Sequence, residues 1–126
     1  MLQILLIAIG GAVGSVLRYL TANAVYNLMG RDFPIGTLIV NIFGCLLMGF
    51  LTVFIFERVV NMASDLRALL LIGFLGGYTT FSTFSMETLS LIESGEIFRA
   101  ILNVLASVIF CLIAVWVGVI LGRHIT

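Results

Sequence analysis

Apolar residues occur along this chain in four long runs that are separated by short polar segments. The runs cover about residues 2–26, 35–56, 66–91 and 97–121. Each run is long enough to cross the hydrocarbon core of a bilayer, for which roughly 20 apolar residues are needed. The pattern therefore predicts an all-α integral membrane protein, with four transmembrane helices in a single membrane domain that covers the whole chain.

The polar segments between the runs carry signals for the ends of helices. Residues 29–34 include Gly30, which favours the end of a helix, and Pro34, which is suited to the start of the next one. Residues 57–65 and 93–96 supply the other two turns. Because the number of crossings is even, we expect both termini on the same side of the membrane.

The third run contains an interruption at residues 76–85, where the sequence is GGYTTFSTFS. Paired glycines followed by threonine, serine and aromatic residues are poor formers of a continuous helix. Irregular backbone at membrane depth is tolerated only where it is buried in protein or lines a water-filled cavity. We therefore predict that the third helix is broken near residues 76–80 and that a functional site lies at the break.

Polar side chains recur every four residues in the second and fourth runs. One stripe consists of Thr37, Asn41 and Cys45, and the other consists of Asn103, Ser107 and Cys111. Residues four apart lie on one face of a helix, and polar groups in hydrocarbon need partners. Either asparagine taken alone is equally compatible with a bond that joins two helices. Two parallel stripes beside a broken helix, however, favour a polar pathway.

Two phenylalanines follow the break at helical spacing. Phe81 and Phe84 are three residues apart and Ser85 is four residues beyond Phe81, so a helix here places both rings and a hydroxyl on one face. Aromatic pairs at this spacing more commonly pack in a core or face lipid. The neighbouring Ser82 and Thr83 favour a role beside a polar pathway instead.

Composition supports the membrane assignment and excludes several functions. Hydrophobic residues make up 62% of the 126 residues, and the mean hydropathy is +1.28. Lysine is absent and six arginines balance six acidic residues, so no basic patch for nucleic acid is present. Cys45 and Cys111 lie within apolar runs, where free thiols are favoured over a disulfide. The only histidine, His124, has no nucleophile or metal-ligand cluster beside it in the sequence, which argues against an enzyme.

The arginines are divided equally between the two sides of the predicted membrane domain. Arg58, Arg67 and Arg123 lie on the side of the termini, and Arg18, Arg31 and Arg99 lie towards the other side. Without a bias in positive charge no orientation is preferred, which predicts dual topology. Two oppositely inserted copies can pair about a two-fold axis in the membrane plane, so we expect an antiparallel homodimer. The alternative to dual topology is a four-helix bundle in which the weak bias in positive charge has no functional meaning.

The polar groups of these spans suit an anion. Amide N–H groups, hydroxyls and the positive edges of phenyl rings are neutral donors, and conduction requires binding that is weak enough for release. Arg18, near one end of the first span, is placed to attract anions without trapping them. Glu87 would repel an anion, so it lies away from the ion, finds a donor or gates the pathway.

Three segments of the chain resemble the motifs of the Fluc (CrcB) family of fluoride channels. They are residues 10–19 (GGAVGSVLRY), 36–44 (GTLIVNIFG) and 73–85 (GFLGGYTTFSTFS), in the order and at the length that the family shows. The resemblance implies a passive fluoride-selective channel of a bacterial cytoplasmic membrane that exports fluoride. It also implies an antiparallel homodimer with two pores and a structural sodium ion at its centre.

The resemblance also implies roles for individual residues. Phe81 and Phe84 would line each pore with their ring edges, Asn41 would donate to the ion, and Arg18 would lie in an aqueous vestibule. Ser107 matches a pore-side serine of the family, and Ser82 and Thr83 would contribute hydroxyls. The backbone carbonyls of Gly76 and Thr79 from both subunits would bind the sodium ion.

Two other functions are compatible with a short four-span protein. A small multidrug exporter that couples cationic drugs to protons needs a carboxylate in its first span, and residues 1–31 contain none. A non-transporting assembly subunit would use the polar stripes only to bind a partner. Fluoride efflux from liposomes that contain this protein alone separates the channel from both alternatives.

Overall fold

A computed structural model describes residues 1–125 of the protein, and the regular elements in this range are all helical. The helices, in chain order, are α1 (Leu2–Met29), α2 (Ile35–Arg58), α3 (Ala63–Leu66), α4 (Gly76–Tyr78), α5 (Phe81–Glu93) and α6 (Ile97–Ile125). A 3₁₀ turn (Val60–Met62) precedes α3, and a π-helical segment (Arg67–Leu75) joins α3 to α4. Residue 126, the last of the predicted membrane domain, lies outside the described residues.

Four helical segments within the described residues are long and apolar enough to cross a membrane, as the sequence predicts. Their helices continue beyond the predicted ends: α1 reaches Met29, α2 reaches Arg58 and α6 reaches Ile125. Hydropathy marks the hydrocarbon core, whereas a helix continues until its backbone turns away, as at Gly30 with φ 84°. The four helical segments are therefore long enough to cross a membrane, and α1, α2 and α6 end beyond the predicted apolar runs.

The third span, residues 60–93, is the irregular one. Its helix is interrupted at Thr79 and Thr80, which adopt extended conformations with φ/ψ of −84°/157° and −152°/114°. The interruption thus lies at the end of the predicted region. The paired glycines do not cause it directly, because Gly76 is helical and Gly77 lies within α4. Helical backbone is available to glycine, and the contacts of the next two residues determine where the helix stops.

Glycines bring the spans into close contact. A Cβ atom at Gly10 would collide with the carbonyl oxygen of Leu69, and one at Gly14 would collide with that of Phe74. These contacts place α1 directly against the π-helical segment. Small residues at helix interfaces in membranes allow this kind of backbone approach, because the apolar solvent gives no hydrophobic drive for association.

The same arrangement joins α2 to α6. A Cβ at Gly49 would collide with the Val115 carbonyl oxygen, and one at Gly118 with the Leu46 carbonyl oxygen. One turn later, Gly122 approaches the Phe50 carbonyl, so the two helices run in the same direction. Their polar stripes consequently run in the same direction along the two helices.

A substitution at this interface tests its importance. Gly118→Ala introduces a methyl group against backbone atoms that cannot rotate away, and we expect it to lower the free energy of unfolding by about 1–3 kcal/mol. Gly11→Ala is the matched control, because the nearest atom to its Cβ is 3.8 Å away. Reversible unfolding in mixed micelles measures both variants. Equal losses of stability in the two would contradict a special role for the α2–α6 contact.

Candidate functional site

The break in the third span is paired with a side chain of α2. The Asn41 amide donates to the Thr80 carbonyl oxygen at 3.1 Å, and the Thr80 N–H donates to Asn41 Oδ1 at 2.8 Å. Gly44, one turn later in α2, lets the helix approach, because a Cβ there would collide with the Thr79 side chain. One N–H of the Asn41 amide is used in this way, and the second is left for another acceptor.

Two amide groups near the break are diverted from their usual helical acceptors. In a continuous helix the Thr80 N–H would bind the Gly76 carbonyl and the Thr83 N–H would bind the Thr79 carbonyl. Instead, the first donates to Asn41 and the second donates to the Thr80 hydroxyl at 3.1 Å. The carbonyl oxygens of Gly76 and Thr79 are therefore among those that lose their regular helical donors at the break.

A cluster of hydroxyls starts α5. Thr80 is the N-cap: its Oγ1 accepts from the Thr83 N–H, donates to Thr83 Oγ1 at 3.0 Å and lies 3.2 Å from Ser82 Oγ. Threonine is a favoured N-cap because its hydroxyl satisfies an amide that the helix leaves free. The positive end of the α5 dipole and three hydroxyls therefore occur together at the break.

A cavity of about 390 Å³ lies beside the break. The structure brings the two polar stripes together there, since Asn41 and Cys45 of α2 face it along with Ser107 and Cys111 of α6. The other residues around it are Gly44, Met48, Thr79, Thr80, Phe81, Phe84, Val108 and Leu112. None of these described lining residues is charged, so the cavity presents neutral polar groups within an apolar wall.

The two phenylalanines form one pair at this cavity. Their ring centroids are 5.3 Å apart and the ring planes are inclined by 52°, so the two rings pack against each other in a tilted arrangement. Phe84 is 9% exposed, whereas Phe81 is 77% exposed in the single chain. Phe84 thus belongs to the packed interior, while Phe81 projects from it.

A second cavity, of about 230 Å³, lies on the other side of Thr80 and Thr83. Arg18 faces it, and the Nε atom of this arginine is buried without a hydrogen-bond partner among the described residues. Thr80 borders both cavities. Ser82 contacts Thr80 but lies outside both linings, and Gly76 lies in α4, before the break.

Glu87 has donors, which is one of the three possibilities that the sequence left open. Tyr26 donates its hydroxyl to Glu87 Oε2 at 2.8 Å, and Thr37 donates to Glu87 Oε1 at 2.5 Å. Sequence reasoning missed Tyr26. It extends the four-residue line Gly10, Gly14 and Arg18 by two further steps, and that spacing was the available signal.

Asn103 occupies the end of the α6 stripe in a different role from Asn41. It is 2% exposed, and its amide donates to Thr88 Oγ1 of α5 at 2.9 Å. Ser107 donates to Asn103 Oδ1 at a long 3.5 Å. Asn103 therefore joins α6 to α5, which is the structural alternative that the sequence left open for it, while Ser107 reaches the cavity.

These features define a small multi-pass membrane protein with polar cavities on both sides of a broken helix. The family model described as CrcB-like protein, Camphor Resistance (CrcB), matches residues 5–119. The chain is 56% identical to a fluoride-specific ion channel FluC of Coxiella burnetii, over 98% of this chain and all of that protein. It is 54% identical to the FluC of Geobacter sulfurreducens, over 99% of this chain and all of the relative.

The chain therefore belongs to the CrcB-like family, as the three motifs indicate. The named relatives are ion channels, and the expectation that this protein is not an enzyme is confirmed by its family membership.

Removing the Asn41 side chain tests its pairing with the break. Asn41→Leu leaves a backbone N–H and a carbonyl without partners at membrane depth, a loss of about 1–3 kcal/mol for each unsatisfied group. We expect faster hydrogen exchange in peptides that contain the Thr80 amide. Asn103→Leu is the control, because it removes an equivalent amide whose partners, Thr88 and Ser107, are both side chains. Unchanged exchange in Asn41→Leu would contradict the pairing.

Proposed function

We propose that this protein is a fluoride-selective channel that exports fluoride passively across the bacterial cytoplasmic membrane. The observation that carries the proposal is one uncharged cavity that combines an amide, hydroxyls and a pair of phenyl rings, in a member of the CrcB-like family. The relatives named above are fluoride-specific ion channels, which supports fluoride as the solute.

The chemistry of the cavity explains why fluoride suits it. Fluoride is small and strongly hydrated, so its passage requires several weak donors that replace water together. The free N–H of Asn41, the Ser107 hydroxyl and the ring edges of Phe81 and Phe84 supply such donors. Because each donor is neutral, the ion is stabilised without being trapped. Ser82 and Thr83 add hydroxyls at the start of α5.

The second cavity serves as the entrance in this proposal. Arg18 attracts the anion into a vestibule from which Thr80 and Thr83 lead towards Asn41. Glu87 also borders this cavity, and its hydrogen bonds to Tyr26 and Thr37 occupy its oxygens. These bonds direct the carboxylate charge towards its donors and limit its repulsion of the anion.

An antiparallel homodimer of dual topology, with two pores, is the proposed assembly. The equal division of the arginines supports it. The large exposure of Phe81 supports it as well, because a ring that projects from one chain can complete a pore wall against a second copy. Two-fold symmetry would then generate two equivalent pathways.

A structural sodium ion at the dimer centre is the remaining part of the proposal. The carbonyl oxygens of Gly76 and Thr79 would bind it from both subunits. Their usual amide donors are diverted to Asn41 and Thr80, which leaves neutral oxygens at the break, and such oxygens are suitable ligands for a hard cation. The charge of the ion would stabilise these carbonyl oxygens, which have lost their helical amide donors within the bilayer.

Fluoride efflux from liposomes that contain only this protein tests the proposed function. We expect efflux driven by the fluoride gradient alone, without dependence on an imposed proton or sodium gradient. Efflux that scales with the proton gradient would indicate an exchanger, and efflux that scales with the sodium gradient would indicate a coupled transporter. Absence of any efflux would favour the assembly subunit.

The ring pair is tested in the same assay. Phe81→Ile and Phe84→Ile keep bulk but remove the ring edges, an interaction of about 1 kcal/mol, so each should lower efflux by roughly five- to tenfold. Phe98→Ile is the control, because Phe98 is 78% exposed at the start of α6 and lies outside the cavities described here. Wild-type efflux from folded, dimeric Phe81 and Phe84 variants would contradict the aromatic-lined pore.

The assembly is tested by changing the charge bias. Two lysines added to the C-terminus should orient the chain uniformly and abolish fluoride resistance in cells, because the oppositely oriented partner is lost. A co-expressed copy with lysines on the opposite side should restore resistance. Full activity of a single, uniformly oriented population would exclude the antiparallel dimer.

A further inference from the structure

The cavity beside the break contains a group of sulfur atoms to which the proposed channel assigns no role. Cys45 and Met48 of α2 and Cys111 of α6 all line it, and the two thiols are direct neighbours across the helix interface. Neither cysteine is in a disulfide. Three soft ligands therefore face one space at membrane depth.

The positions of these sulfurs follow from the fold. Cys45 and Met48 are three residues apart, so they lie on the same face of α2. Cys111 lines the same cavity from α6, which Gly49 and Gly118 bring into backbone contact with α2. Tight glycine packing keeps the distance between the two helices constant, which gives the sulfur group a defined geometry.

We propose that Cys45, Met48 and Cys111 form a binding site for a soft monovalent cation, copper(I) or the chemically similar silver(I). Thiolate and thioether sulfurs are the ligands that copper(I) prefers. Binding releases the proton of one thiol, which becomes a thiolate. The complex of one thiolate, one thiol and one thioether with a monovalent cation has no net charge, and this reduces the cost of binding within the bilayer.

Other metal ions fit the site less well. Zinc prefers four tetrahedral ligands drawn from cysteine, histidine and carboxylates. The described residues contain no group of three or more histidine, cysteine, aspartate or glutamate side chains that could hold a metal ion. Calcium and magnesium prefer oxygen ligands and have little affinity for sulfur. Sulfur chemistry therefore selects a soft cation of low coordination number.

The site has a consequence for conduction that rests on the proposed function. Phe81 and Phe84 line the same cavity, so a cation bound to the sulfurs occupies space beside the ring pair. It would obstruct the proposed pathway sterically. Copper(I) or silver(I) is thus an expected inhibitor of this channel.

Silver(I) is the probe for a binding experiment that does not depend on fluoride flux. Purified full-length protein in chloride-free nitrate buffer is titrated with Ag⁺, and bound metal is measured after removal of free ions. We expect one Ag⁺ per chain, retained in the presence of excess Zn²⁺. Cys45→Ser, Cys111→Ser and the nearly isosteric Met48→Leu should each weaken binding by about tenfold or more, a change of about 1.4 kcal/mol per tenfold.

Met86→Leu is the matched control, because Met86 is exposed on α5 and does not line this cavity. It should bind Ag⁺ like the wild type. Failure of the wild type to bind one Ag⁺ per chain, displacement by Zn²⁺, or equal affinity in Met48→Leu and Met86→Leu would overturn the site. Met48→Leu preserves the volume of the side chain, so the variant is expected to fold. Protection of the wild-type thiols from maleimide by Ag⁺ adds a measurement that requires no substitution.

A second arm tests inhibition. Ag⁺ should stop fluoride efflux from wild-type liposomes and spare the Cys45→Ser/Cys111→Ser double variant, and excess thiosulfate should reverse the block. Wild-type efflux that persists with Ag⁺ bound would overturn the obstruction. If no efflux occurs before Ag⁺ is added, the proposed function fails, and the binding arm alone decides whether the sulfur site exists.

Discussion

The reciprocal hydrogen bonds between Asn41 and Thr80 are the interaction on which the rest of the site depends. A helix that stops within a bilayer leaves backbone groups that lipid cannot satisfy, and each unpaired group is costly. One carboxamide, with a donor and an acceptor side by side, satisfies both groups of Thr80. The same pairing frees the Gly76 carbonyl from its regular donor. A single side chain of α2 thus makes the irregular backbone of the third span possible.

Close backbone contact between spans is the second requirement. Gly44 admits Thr79 and thereby brings Asn41 within reach of the break, while Gly49 and Gly118 bring α2 and α6 into backbone contact. Larger residues at these positions would separate the helices and open the hydrogen bonds. Packing of small residues therefore determines the polar geometry as well as the stability. The charged Arg18 and Glu87 border the second cavity, and the cavity beside the break is lined by neutral groups.

Most of the fold was predictable from the sequence because its causes are local. Hydropathy over about 20 residues identified four spans, and the residues at 76–80 marked the irregular one. The exact ends were not predictable. The helices continue to Met29, Arg58 and Ile125, because hydropathy reports the hydrocarbon core and not the helix cap. Gly76 and Gly77 are helical although glycine has a low helix propensity, which shows that tertiary contacts override this propensity.

For the site, the sequence by itself determined which residues could form polar faces, since a spacing of four places Asn41 with Cys45 and Ser107 with Cys111 on single helix faces. Tertiary structure decided what those faces do. Two asparagines with the same pattern diverged, because Asn41 meets free backbone at the break whereas Asn103 meets the Thr88 hydroxyl. The hydrogen bond between Tyr26 and Glu87 joins residues that are 61 positions apart in the chain. A periodic pattern specifies the face of one helix, but the partner of that face depends on how separate helices pack, which no local pattern contains.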